Sequence, residues 1–161
     1  MDQAPKPAAR INITKYVWIF ALTQAGLGLA LLAIEQGFNL DFGKSVGMGV
    51  FMGAIAAAMQ YFVKDHSRAL TKGESWRFSL WATLATCLWA VLLFIGGAVY
   101  AVGPADIGAA ITEARQWLAE NAGLSAIVGV IATLFSILGL YFGSRFFSSQ
   151  FAKHLKPAVT N

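Results

Sequence analysis

Three observations predict an all-α fold, an integral membrane four-helix bundle. Of the 161 residues, 57% are hydrophobic and only 12% are charged, whereas soluble domains carry about a quarter charged. Four apolar runs, at residues 16–34, 45–63, 78–102 and 123–143, are long enough to cross a bilayer, which takes about 20 helical residues. Ten of the twelve Lys and Arg residues fall on one side once the runs are threaded back and forth. Lys6, Arg10 and Lys15 precede the first run, Lys64, Arg68, Lys72 and Arg77 join the second to the third, and Arg145, Lys153 and Lys156 follow the fourth. Only Lys44 and Arg115 lie opposite. The positive-inside rule then places both termini in the cytoplasm.

Residues 1–15 form a polar arm containing Pro5 and Pro7. Disorder, or loose contact with the membrane surface, is the default for such a terminus. The run 16–34 has no charge, exceeds a usual signal-peptide core and is followed by no A-x-A-like site, so it reads as a retained span. Gln24 near its middle reads as glue to a neighbouring helix, because hydrocarbon offers an amide no partner. Residues 35–44 read as a short loop. In 45–63, Gly49, Gly53 and Ala57 recur every four residues, a small-residue face that admits a close helix contact, within this chain or with another.

In the connection 61–77, Thr71 and Glu74 have capping-box spacing just before an apolar run. The third helix is therefore expected to start near Lys72. Its apolar part, 78–102, ends at Gly103 and Pro104, with Trp76 and Trp81 at interfacial-belt positions. Residues 104–121 are too polar to cross. Ile107, Ile111, Ala114 and Leu118 share a helical face opposite Glu113, Gln116 and Glu120. This is an amphipathic periplasmic helix, lying on the membrane or, more simply, a connector capping the bundle. Span 123–143 carries Gly139 and Gly143 as a second small-residue pair. In the tail 144–161, Phe147, Phe151 and Leu155 repeat every four residues among basic residues. That pattern reads as a helix continuing along the inner surface, in contact with lipid or a partner.

The spans contain no Asp, Glu, Lys, Arg or His, which disfavours a proton relay or charge-coupled carrier. His66 and His154 lie outside them, excluding haem held by membrane histidines, and no cofactor is expected. A nucleic-acid partner is not expected either: the net charge of +4 is spread along the span ends. Cys87 is the single cysteine, so neither an intrachain disulfide nor a cysteine-based metal site forms. No P-loop, H-E-x-x-H, GxSxG or CxxC motif occurs, and the chain reads as non-enzymatic.

The connection 61–77 remains as a candidate site. Arg68 and Arg77, with His66, are the candidate contacts for an anion such as a lipid phosphate, since a guanidinium bonds two phosphate oxygens at once. The structural alternative is a capped turn in which Asp65, Arg68 and Lys72 pair along a continuing helix. The pattern Phe62-x3-His66-x-Arg68-x2-Thr71-x2-Glu74-x2-Arg77 resembles an uncharacterised family of small four-span bacterial inner-membrane proteins, with Gly73 departing from the helix formers expected there. The resemblance implies architecture and bacterial origin and no activity. Two functions follow as expectations: an accessory or assembly component of a larger membrane complex, or a small oligomeric transporter for an apolar or cationic compound.

Overall fold

The computed structural model describes residues 11–38, 45–103 and 106–155. Among them the chain forms five helices and no strand: α1 (Thr14–Phe38), α2 (Ser45–His66), α3 (Lys72–Val102), α4 (Ile107–Glu120) and α5 (Ala122–Leu155). Four of these, all but α4, are long and apolar enough to cross a membrane. The chain is a helical, multi-pass membrane protein by that measure.

Local chemistry sets the helix ends. Asn12 Oδ1 accepts from the Thr14 N–H at 3.1 Å where α1 begins. That helix runs to Phe38, taking in the first four residues of the expected loop. The rest of that loop, with Phe42 and Lys44, lies outside the described residues. Ser67 ends α2 in the left-handed region (φ 52°), its N–H bonded to the Val63 carbonyl. Gly103 ends α3 at φ 82°, a conformation that suits glycine.

The four long helices form a ring in which α1 touches α2 and α3, and α5 touches the same two. Consecutive helices α2 and α3 therefore sit diagonally across the ring, and residues 67–71 cross the end of the bundle to join them. Leu70 is buried in that crossing.

The core gathers at this crossing end. Tyr16, Val17 and Phe20 of α1 meet Ala58, Met59 and Phe62 of α2, Phe78 and Ala82 of α3, and Leu140 of α5. Phe20 packs edge-on to Phe51 and Phe78, with ring centres 6.0 and 5.9 Å apart. Toward the other end the helices expose apolar faces, among them Leu29 and Leu32, Leu92 and Phe94, and Ile131 and Phe135.

Of the two glycine patterns, the one on α5 meets a neighbouring helix closely and the one on α2 does not. Gly49 has nothing near the place of a Cβ, and at Gly53 only the Leu27 side chain comes within 3.5 Å. Ala57 is half-buried. Among the described residues, the stripe on α2 therefore makes no close backbone contact. Gly139 faces the Phe51 ring, and at Gly143 a Cβ would lie 3.2 Å from Ile55 Cδ1. Serines are buried on α3 and α5 as well. Ser75 and Ser79 of α3 and Ser144 and Ser148 of α5 are all fully buried, and each pair has the four-residue spacing of a small-residue contact.

Two further expectations are corrected. The tail does not lie apart from the bundle: α5 continues unbroken, and Phe147, Phe151 and Ala152 pack against the core. Residues beyond 155 lie outside the described ones. Nor does α4 cap the bundle, because Ile111, Trp117 and Leu118 on its apolar side remain exposed.

Candidate functional site

The ionisable residues at the crossing end form two linked clusters. The first joins α1 to the end of α2. Lys15 Nζ donates to Asp65 Oδ2 at 2.6 Å, and the Tyr16 hydroxyl donates to the same oxygen at 2.9 Å. His66 Nδ1 stands 3.3 Å from that hydroxyl oxygen and 3.2 Å from the Phe62 carbonyl. Tyr16 has one hydroxyl hydrogen and Asp65 takes it. In the neutral imidazole the hydrogen therefore sits on Nδ1, shared between the carbonyl and the phenol oxygen, and Nε2 is the acceptor. The His66 ring stacks on Phe62 at 4.7 Å with the planes 2° apart.

The second cluster is the crossing itself. Arg68 donates from NH1 and NH2 to the two carboxylate oxygens of Glu74, at 2.9 and 2.6 Å. This two-pronged, charge-assisted geometry is the strong form of the pair. NH1 also bonds the Ala69 carbonyl at 2.9 Å, and the guanidinium lies over the Phe62 ring at 5.5 Å. Donating these hydrogen bonds to the Glu74 carboxylate raises the Arg68 pKa above its ordinary value.

Glu74 does a second job. Its Oε2 accepts from the Thr71 N–H at 2.8 Å, while Thr71 Oγ1 accepts from the Glu74 N–H at 3.4 Å. Both bonds of the capping box are therefore present at the start of α3. The crossing is pinned to α5 as well, since the Leu70 N–H bonds Ser148 Oγ at 3.3 Å.

Against the sequence-derived candidates, the structure makes a division. Arg68 is engaged by Glu74, so it does not stand free as an anion contact. Asp65 pairs with Lys15 across to α1, which replaces the expected pairing of Asp65, Arg68 and Lys72 along one helix; α2 has ended before Arg68. His66 belongs to the aromatic cluster. Arg77 is exposed and has no ion pair or hydrogen bond among the described residues. Gln24 Oε1 stands 3.2 Å from Thr86 Oγ1, a polar contact between α1 and α3, and the same hydroxyl has the Ala82 carbonyl at 2.9 Å.

Lys15, Tyr16 and Ser148 escaped the sequence reading. The hairpin made by α1 and α2 brings the start of one beside the end of the other. That register alone would have directed attention from Asp65 and His66 to Lys15 and Tyr16.

A groove of about 430 Å³ lies between α1 and α3, lined by Trp18, Leu22, Trp81, Leu88 and Trp89 among other apolar residues. Among the described residues, no group of three or more His, Cys, Asp or Glu is placed to hold a metal ion. Among the described residues the crossing presents two ion pairs and, at Arg77, a guanidinium without a partner. No protein-family model, curated protein or solved structure matches this chain.

Proposed function

We propose that this chain is a non-catalytic, four-span protein of a bacterial inner membrane, with both termini in the cytoplasm, that serves as an accessory or assembly component of a larger membrane complex. The observation that carries the proposal is the distribution of packing. One end of the bundle is closed by a core and held by two ion pairs, Lys15 with Asp65 and Arg68 with Glu74. The other end exposes long apolar faces on α1, α3 and α5 that the chain does not cover itself. Such faces suit a neighbouring membrane helix as well as they suit lipid. The positive-inside asymmetry and the resemblance of the 62–77 pattern support the topology and the bacterial setting. Helix α4 fits the outer surface of the membrane on this reading, with Ile111, Trp117 and Leu118 turned toward the lipid boundary.

Purification of the tagged protein in mild detergent tests the role. A stoichiometric membrane-protein partner is expected. Recovery of the chain alone or only as a homo-oligomer, after crosslinking in the intact membrane, would remove the accessory role and leave the small transporter.

A further inference from the structure

We infer that the groove between α1 and α3 binds one anionic phospholipid from the leaflet beside the helix crossing, with an acyl chain along the groove and the phosphate at Arg77. The groove has the dimensions of a single leaflet. Its α1 wall runs from Thr14 to Ala25 and its α3 wall from Trp81 to Leu92. Each wall advances eleven residues; staggered about the Gln24–Thr86 level, together they extend about 24 Å at helical rise, close to half of the roughly 40–45 Å of a bilayer with its head groups. The Gln24–Thr86 contact holds the two walls in register. Among the described residues no side chain of α2 or α5 lines the groove, so it opens outward, toward lipid.

The chemistry changes along the groove as it does along a phospholipid. The deep part is apolar, with Leu88, Trp89 and Leu92. Trp18 and Trp81 stand exposed near the mouth, at the level of an interfacial belt. Arg77 lies one turn before Trp81 and shares its helical face with Trp81, Leu84 and Leu88, at spacings of four, seven and eleven. It has no ion pair or hydrogen bond among the described residues, whereas Lys15 is held by Asp65 and Arg68 by Glu74. A guanidinium aimed at the head-group level matches a phosphate diester. It repels a cationic ligand. A second protein copy seated in the groove would bury it without a counter-charge, which is costly.

Native mass spectrometry tests the assignment. The full chain is extracted from vesicles of phosphatidylglycerol and phosphatidylcholine with identical acyl chains, mixed in equal amounts. Wild type is expected to retain one phosphatidylglycerol in preference to phosphatidylcholine. Arg77→Gln should retain lipid but lose that preference, and Ala25→Phe, which fills the groove, should retain neither. Arg77 is exposed and has no partner among the described residues, so its variant keeps the fold even if the larger side chain at Ala25 does not. Equal head-group retention by wild type, an undiminished preference in Arg77→Gln, or a homodimer that excludes lipid from the groove would each overturn the inference. None of these outcomes depends on whether a partner complex exists.

Discussion

Glu74 is the residue on which most of the crossing depends. Its carboxylate accepts four hydrogen bonds, two from Arg68 and one each from the N–H and hydroxyl of Thr71. Thr71→Ala removes one side of the capping box and is expected to lower stability by about 0.5–2 kcal/mol. Glu74→Ala strips the acceptor from all four donors, two of them on a half-buried guanidinium, and is expected to cost more, about 1–3 kcal/mol. Thermal unfolding of the two variants in detergent checks the ranking; equal losses would mean that the Arg68 pair contributes nothing beyond the cap. Arg77→Gln, by contrast, should leave the unfolding temperature within the range of ordinary surface changes, about ±0.5 kcal/mol.

Packing between α5 and its two neighbours concentrates where side chains are smallest. Gly143 meets Ile55, which is fully buried and has nowhere to move. Ser144, the next residue along α5, is fully buried. Gly143→Leu and Ser144→Leu are expected to overpack and cost on the order of 1–3 kcal/mol each. Gly49→Leu faces open space and should be nearly neutral. Gly53→Leu needs only the flexible end of Leu27 to swing aside, so its effect should fall between them. Unfolding temperatures in one detergent give the order, and a large loss at Gly49 together with none at Gly143 would reverse the assignment of the contact face.

For the molecule as a whole, α5 is longer than a crossing requires. Its 34 residues extend about 51 Å, where roughly 30 Å of hydrocarbon takes about 20 residues. On the proposed topology the excess projects into the cytoplasm, together with the crossing and the start of α1. The one-sided core then has a physical cause. Water drives apolar faces together where helices leave the bilayer, while inside it lipid tails solvate them as well as a neighbour does. Reporter fusions after residues 104 and 161 are expected to report opposite sides of the membrane, and a shared side would refute the topology.

Membership of the helical membrane class, the number of spans and the start of α3 are properties of local composition and spacing. A 20-residue apolar run and a Thr-x-x-Glu box act within a turn or two of themselves, so they are legible along the chain. The serine spacing was legible too, since Ser75, Ser79, Ser144 and Ser148 stand four apart, but serine reads as polar until a fold buries it. Other features arise from residues remote in sequence. Asp65 meets Lys15 across fifty positions, and Ser148 meets the Leu70 N–H across seventy-eight. Arg68 had two candidate partners nearby and took Glu74, because Ser67 turns the chain out of the helix that would have aligned it with Asp65 and Lys72. That turn also carries α3 to the far side of the ring, which leaves Arg77 at the mouth of the groove beside α1. Neither position follows from spacing, because each depends on which helices become neighbours.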